Sequence, residues 1–336
     1  MKKLIFGYGE TGKAVEQFYI KNKIDFEIYD DNIPELNRDI SDHILEFDEV
    51  IISPGIPPDN LVLSKIMSQK IKISTDLDLY KQYRKKSTKI IGVTGTNGKT
   101  SFVNLVTEFL IKNGYKAISS GNIGSSPLNS INKNYDYLIL ELSSYQLYYS
   151  RNLALDYGIL LNIASDHLDW HGNFQNYLKA KSKIIKFTKN ENLLVYSELI
   201  REFMDKEQKE TINPVYSPTK NIEIPFSKEL LVPFVDLIYL LDLKIENIEK
   251  ACNEYLFELE QLEHRYEKIK FSGNIKFVND SKATNFHAVS NAINRSKNII
   301  LILHGLTKNI PSEELKLTSD VKKIIVQSGM GMDLNQ

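Results

Sequence analysis

Lys89-Ile90-Ile91-Gly92-Val93-Thr94-Gly95-Thr96-Asn97-Gly98-Lys99-Thr100-Ser101 carries the clearest chemistry in the chain. A β-branched run ends in a glycine-punctuated turn, and Lys-Thr then opens a helical pattern from Phe102 to Asn113. Backbone N–H groups and a helix N-terminus form a cradle for phosphate, a lysine neutralises it, and a hydroxyl can ligate Mg2+. The generic phosphate loop has a glycine five residues before Gly98, where this chain has Val93, so the loop is the variant G-x-x-G-K-T. A turn needing flexibility alone has no use for Lys99 and Thr100, and ATP is the expected ligand.

Further clusters could act with it. Gly7-Tyr8-Gly9-Glu10-Thr11-Gly12 fits G-x-G-x-x-G between a strand and a helix, and Asp30 ends the next strand. It reads as a dinucleotide or nucleotide-sugar site with Asp30 on a ribose, or as a tight turn using glycine for packing. Glu141 closes a hydrophobic strand ahead of Leu142-Ser143-Ser144. A carboxylate there could hold Mg2+ or cap the following turn. Asp166, His167, Asp169 and His171 crowd the loop after another buried strand, Asn162 to Gly172. Their spacing fits no helical zinc motif, and the choice is between Mg2+ chemistry and polar loop decoration. Lys179, Lys181 and Lys183 lie on a helix just beyond, where lysines ordinarily form a solvated face. His264-Arg265-Tyr266-Glu267 and Asn279-Asp280-Ser281-Lys282-Ala283-Thr284-Asn285 supply an arginine for transferring phosphate charge, or a surface ion pair with a helix cap.

These clusters need elements to hold them. Strand-like runs alternate with helical ones, the signature of an α/β fold with parallel sheets. Strands are expected at Leu4–Phe6, Phe26–Tyr29, Val50–Ser53, Ile71–Ser74, Tyr137–Leu140 and Tyr157–Leu161, with helices at Lys13–Lys21 and Asp76–Tyr83. A helix at Ile245–Tyr255 precedes a hairpin turning at Ser272-Gly273-Asn274; the helix Thr284–Arg295 and strands Ile299–Leu303 and Lys323–Val326 follow. The basic stretch Arg84-Lys85-Lys86-Ser87 reads as a linker, giving domains at 1–86, 87–261 and 262–336. A net charge of −1 argues against an electrostatic nucleic-acid binder. Cys252 is the sole cysteine, which excludes internal disulfides and a cysteine-based zinc site. The N-terminus does not read as a signal peptide, and Pro233, Asp236 and Asp242 interrupt the longest apolar stretch, so a cytoplasmic protein without a membrane span is expected.

Taken together, these strings resemble the Mur ligases, ATP-dependent amide-forming enzymes that build the peptidoglycan stem peptide. The phosphate loop, Glu141-Leu142-Ser143-Ser144 and Asp166-His167-x-Asp169 occur widely in that family. His264-Arg265-Tyr266-Glu267 with Asn279–Asn285 narrows the resemblance to its D-glutamate-adding branch, and the likeness runs from Met1 to about residue 310. It implies three domains: Rossmann-like UDP-binding, a central P-loop ATPase-type parallel sheet, and a C-terminal Rossmann-like domain that receives the amino acid. Glu10, Thr11, Asp30, Asp31, Gly55, Asn122 and Ser143 would then serve UDP-N-acetylmuramoyl-L-alanine. Gly95, Thr96, Asn97, Gly98, Lys99, Thr100, Ser101, Arg265, Asp280 and Lys282 would serve ATP. Thr100, Glu141, His167 and Lys181, the last as a carbamate formed with CO2, would hold two Mg2+ ions. Thr284 and Lys308 would place D-glutamate, and Lys99, Glu141, His167, Lys181 and Arg265 would carry catalysis in a monomer. A sister ligase for another amino acid, or a UDP-sugar or nucleotide binder without ligase activity, are the alternatives.

The chain departs from the family pattern in places. Where a pair of asparagines is usual, one of them on adenine, it reads Leu231-Val232-Pro233-Phe234-Val235-Asp236. His304-Gly305-Leu306-Thr307 lacks the usual second glycine and acid before Lys308. Residues 262–336 number 75, fewer than the about 100 of an independent Rossmann-like domain, and the Ser-Pro-rich loop that grips the D-glutamate side chain is missing. A truncated C-terminal domain with an aggregation-prone strand edge is therefore expected.

Overall fold

The computed structural model describes residues 2–37, 40, 43–122, 125–206, 228–243, 263–305 and 307–327. The first strands and α-helices are β1 (Lys2–Phe6), α1 (Glu10–Asn22), β2 (Phe26–Tyr29), β3 (Phe47–Ile52), α2 (Leu61–Ser68), β4 (Lys72–Ser74) and α3 (Asp76–Tyr83). Their strands form a sheet in the order β2-β1-β3-β4, parallel throughout. Leu4, Ile5, Phe6, Val50 and Ile52 are sealed from solvent, as a parallel sheet covered on both faces requires. At Gly12 the first helix rides so close to the end of β1 that a Cβ would stand 2.2 Å from the Gly7 carbonyl oxygen.

The second sheet follows from β5 (Lys89–Thr94), α4 (Lys99–Lys112), β6 (Ala117–Gly121), β7 (Tyr137–Glu141), α5 (Ser144–Tyr149) and β8 (Tyr157–Leu160). After α6 (Leu168–His171) and α7 (Phe174–Phe187), β9 (Leu193–Val195) completes the order β6-β7-β5-β8-β9, again all parallel. The chain winds from β5 to one side and returns to the other, so the carboxyl ends of β5 and β8 flank the topological switch point, where α/β sheets bind ligands. The segment Leu231–Asp236, which lacks the family's usual asparagine pair, lies in the helix α8 (Lys228–Leu240) with Pro233 inside it. Its Phe234 meets Phe109 of α4 edge-on, ring centroids 5.1 Å apart, a contact worth about 1 kcal/mol beyond area burial.

Later elements are the antiparallel hairpin β10 (Glu267–Ser272) and β11 (Ile275–Asn279), then α9 (Phe286–Ile293) and the parallel pair β12 (Ile299–Leu303) and β13 (Val321–Val326). Phe286, Ile293, Leu303, Ile310 and Leu315 form their core. The chain divides into two compact units. The first comprises Met1–Asn162, Leu178–Asn221 and Val232–Leu243; the second comprises Ile163–Tyr177, Ile222–Leu231 and Lys244–Gln336. The linker at residues 84–87 falls inside the first unit. The boundary near 261 and the helix expected at Ile245–Tyr255 lie outside the described residues. Among the described residues no helix is long and apolar enough to cross a membrane.

Candidate active site

In the first unit, Thr94 ends β5 in the buried middle of its sheet, and the phosphate loop springs from it. Gly98, at φ +79°, supplies the left-handed residue that caps α4, a conformation that favours glycine. Lys99 Nζ donates to the carbonyl oxygens of Gly95 and Thr96, both at 2.9 Å, curling over its own loop. Lys181 comes from α7 rather than from a solvated face: it is 2% exposed, and its Nζ donates to Gly95 O at 2.8 Å and to Thr94 Oγ1 at 3.3 Å. Thr100 and Ser101 lie in the first turn of α4, where backbone N–H groups lack helical partners.

Glu141, at the carboxyl end of β7, is 2% exposed. Its Oε1 accepts from Asn122 Nδ2 at 2.9 Å, while Oε2 is buried with no hydrogen-bond partner among the described residues. A buried carboxylate oxygen without a donor is costly unless a cation approaches it. Such an oxygen is the hard ligand that Mg2+ prefers, so this residue fits that ion. Among the described residues, no group of three or more His, Cys, Asp or Glu side chains gathers as a metal site by itself.

Of the two acids expected on the ligand, Asp30 holds the glycine turn near the N-terminus and Asp31 bonds the N-cap of α2. Asp30 accepts from Tyr8 N–H at 2.6 Å and Asn32 N–H at 2.8 Å, and Asp31 accepts from Asn60 Nδ2 at 2.6 Å. Glu10 and Gly55 are exposed, and Thr11 is half-buried. Ser143 caps α5 in a capping box with Gln146, the local role that a serine before a short helix predicts. Asp236 turns inward and accepts from the Tyr196 hydroxyl; burial pushes its carboxyl up to about 6, against the lowering effect of that bond.

In the second unit, His167 adopts a left-handed backbone, φ +54°, at the start of α6. Beside it Asp166, 4% exposed, accepts from Lys308 Nζ at 2.8 Å, Asn285 Nδ2 at 3.3 Å and the His167 N–H at 2.9 Å. The structure thus brings Lys308 and His167 onto one carboxylate. The β10–β11 register pairs Glu267 with Asn279, which joins the His264–Glu267 and Asn279–Asn285 motifs. Asp280 accepts from Tyr266 N–H at 2.9 Å; burial raises its carboxyl, opposed by that bond and by the Arg295 and Arg265 charges. Lys282 and Thr284 are exposed. The sequence marks Asp166 as part of the crowded loop, but not its role as an organising acid, nor Asn285 as its partner, nor Asn162 beside the phosphate loop. The crowding of Asp and His after β8 was the available signal.

A family profile described as the Mur ligase middle domain matches residues 93–293. The UDP-N-acetylmuramoylalanine–D-glutamate ligase of Francisella philomiragia subsp. philomiragia is 33% identical over 318 residues, covering 91% of this chain and 75% of that protein. The enzyme of the same name from Francisella tularensis subsp. mediasiatica is 33% identical over 324 residues, covering 91% and 74%. Among solved structures, MurF ligase of Thermotoga maritima in complex with ADP superposes with a TM-score of 0.54 at 15% identity, covering 97% of this chain and 85% of that one. MurC of the same organism gives 0.50 at 19% identity over the same shares. These two likenesses concern the fold, with its parallel sheets and its phosphate-loop domain. A third of the residues shared with a ligase across nine-tenths of the chain, on that fold, is decisive: the chain belongs to the Mur ligase family.

Proposed function

We propose that the chain is an ATP-dependent ligase that adds D-glutamate to UDP-N-acetylmuramoyl-L-alanine in peptidoglycan precursor synthesis. The observation that carries this is the pairing of a phosphate loop, Gly95 to Ser101, with a buried, half-unpartnered carboxylate at the end of β7, in a chain similar to D-glutamate ligases. Residues 1–86 are assigned to the UDP-sugar, 87–261 to ATP and 262–336 to the amino acid. Glu10, Thr11, Asp30, Asp31, Gly55, Asn122 and Ser143 are assigned to the UDP-sugar, with Asp30 acting through the turn it holds.

Gly95–Ser101 cradle the triphosphate, with Lys99 on its outer phosphates; Arg265, Asp280 and Lys282 are also assigned to ATP. Thr100, Glu141 and His167 are assigned as Mg2+ ligands. Lys181 joins them once its neutral amine has added to CO2 and lost a proton, which replaces a cation with an anionic oxygen donor. Bound Mg2+, two ions in this assignment, supplies charge neutralisation for the phosphates. An alanyl carboxylate oxygen attacks the γ-phosphorus and the bond to ADP breaks, giving an acyl phosphate. The D-glutamate amine, placed by Thr284 and Lys308, then attacks the acyl carbon; inorganic phosphate leaves and the nitrogen loses its proton. The protein's part is positioning and electrostatics.

Purified protein with ATP, Mg2+ and the UDP-muramoyl substrate is to be offered a panel of amino acids. Phosphate release that needs the UDP-sugar and D-glutamate together supports the proposal. Release with another amino acid alone assigns a sister ligase, and release without either cosubstrate contradicts both.

A further inference from the structure

Asn162 lies two residues beyond β8, across the topological switch point from the phosphate loop. Its Oδ1 accepts from the Asn97 N–H at 2.8 Å, and its Nδ2 donates to the Asn97 carbonyl oxygen at 3.0 Å. Its own carbonyl accepts from the Thr96 N–H at 2.9 Å, while the Leu161 N–H reaches Thr94 O at 2.9 Å. The β5–β8 ladder therefore continues into the loop, first through backbone and then through a side-chain amide that imitates a strand.

We infer that Asn162 is a positioning residue for the nucleotide phosphates, acting through the backbone of Asn97. The loop turns on Gly95 and Gly98, which impose little backbone restraint of their own, and Asn97 stands between them. Clamping both polar groups of Asn97 fixes the peptide planes on either side and aims the following N–H groups. The same bonds turn the Thr96 and Asn97 N–H groups toward β8, so the anion is received by Gly98 and the first turn of α4. In this shortened loop, which has Val93 where the generic one has glycine, the missing closure is supplied from the neighbouring strand. A group preorganised in this way raises affinity by sparing the ordering of the loop on binding.

The inference rests on the proposed triphosphate site, and its test separates the two. Binding of ADP with Mg2+ and of UDP-N-acetylmuramoyl-L-alanine is measured by calorimetry for wild type, Asn162→Leu and the nearly isosteric Asn162→Asp. Asn162→Leu removes both side-chain bonds; Asn162→Asp keeps the acceptor but sets a carboxylate oxygen against the Asn97 carbonyl. ADP affinity is expected to fall about tenfold or more in both, with the ATP KM rising by the same factor. The UDP-sugar affinity stays unchanged and kcat stays within about twofold. Equal ADP binding by wild type and either folded variant overturns the role of Asn162 alone. Loss of UDP-sugar affinity in parallel overturns it too, by marking a general structural defect. A wild-type protein without measurable ADP binding overturns the triphosphate site, and this inference with it.

Discussion

The Lys181 ammonium nitrogen lies 2.8 Å from the carbonyl oxygen of Gly95, at the root of the phosphate loop. A cation buried to 2% exposure needs partners, and the loop provides them. Conversion to a carbamate would reverse its charge beside the loop and turn a phosphate-side donor into a metal-side acceptor. Lys181→Ala is expected to lower phosphate release by about a hundredfold or more, with partial recovery on adding formate or acetate. Full activity of the unrescued variant removes Lys181 from the site.

Asn122 holds Glu141 Oε1 at 2.9 Å and leaves Oε2 for a cation. Such an outer partner orients a metal ligand and sharpens its affinity. Asn122→Ala should raise the Mg2+ concentration needed for half-maximal ADP binding by about 10- to 100-fold, measured by Mg2+ titration. An unchanged midpoint would show that Glu141 orients itself.

Asp76 opens α3 with its side chain fully buried, accepting from Ser126 Oγ at 2.7 Å. Burial pushes its carboxyl up to about 6 from an ordinary 3.8; the Asp78 charge adds to this, and the Ser126 and Leu77 bonds oppose it. Between those values the folded chain binds more protons than the unfolded one, so stability falls as pH rises. The penalty is absent below about pH 4 and complete above about pH 6, of the order of 3 kcal/mol. Asp76→Asn keeps an acceptor for Ser126 and should flatten this slope, read as urea midpoints across the window. A slope identical to that of wild type would contradict the assignment.

Lys308 and Asp166 form a partly buried pair in the second unit. Lys308→Met removes a cation assigned to D-glutamate and leaves Asp166 without its charged partner. The KM for D-glutamate should rise about tenfold or more, while the KM for ATP changes little. An equal rise in both constants would assign the pair to structure.

Legibility followed contiguity. The phosphate loop could be read because its glycines, lysine and threonine are adjacent, and α3 matched its expected span because Thr75 and Asp78 form a capping box at its start. The β10–β11 hairpin turned where Gly273 allows a positive φ. β6, Ala117-Ile118-Ser119-Ser120-Gly121, escaped notice because an edge strand with polar residues lacks the apolar run of a central one. The pairing of Asn162 with Asn97 in the first unit spans 65 residues, and in the second unit those of Asn285 and Lys308 with Asp166 span 119 and 142. No local pattern encodes such separations. The helical pattern alone left Lys181 among solvated lysines; the family resemblance marked it, and α7 turns it inward onto Thr94 and Gly95.

The central claim is that ATP activates the alanyl carboxylate by direct phosphoryl transfer. UDP-N-acetylmuramoyl-L-alanine labelled with oxygen-18 in that carboxylate, turned over with ATP and D-glutamate, tests this most directly. One labelled oxygen should appear in each released phosphate, detected by mass spectrometry. Amide product accompanied by unlabelled phosphate would contradict it.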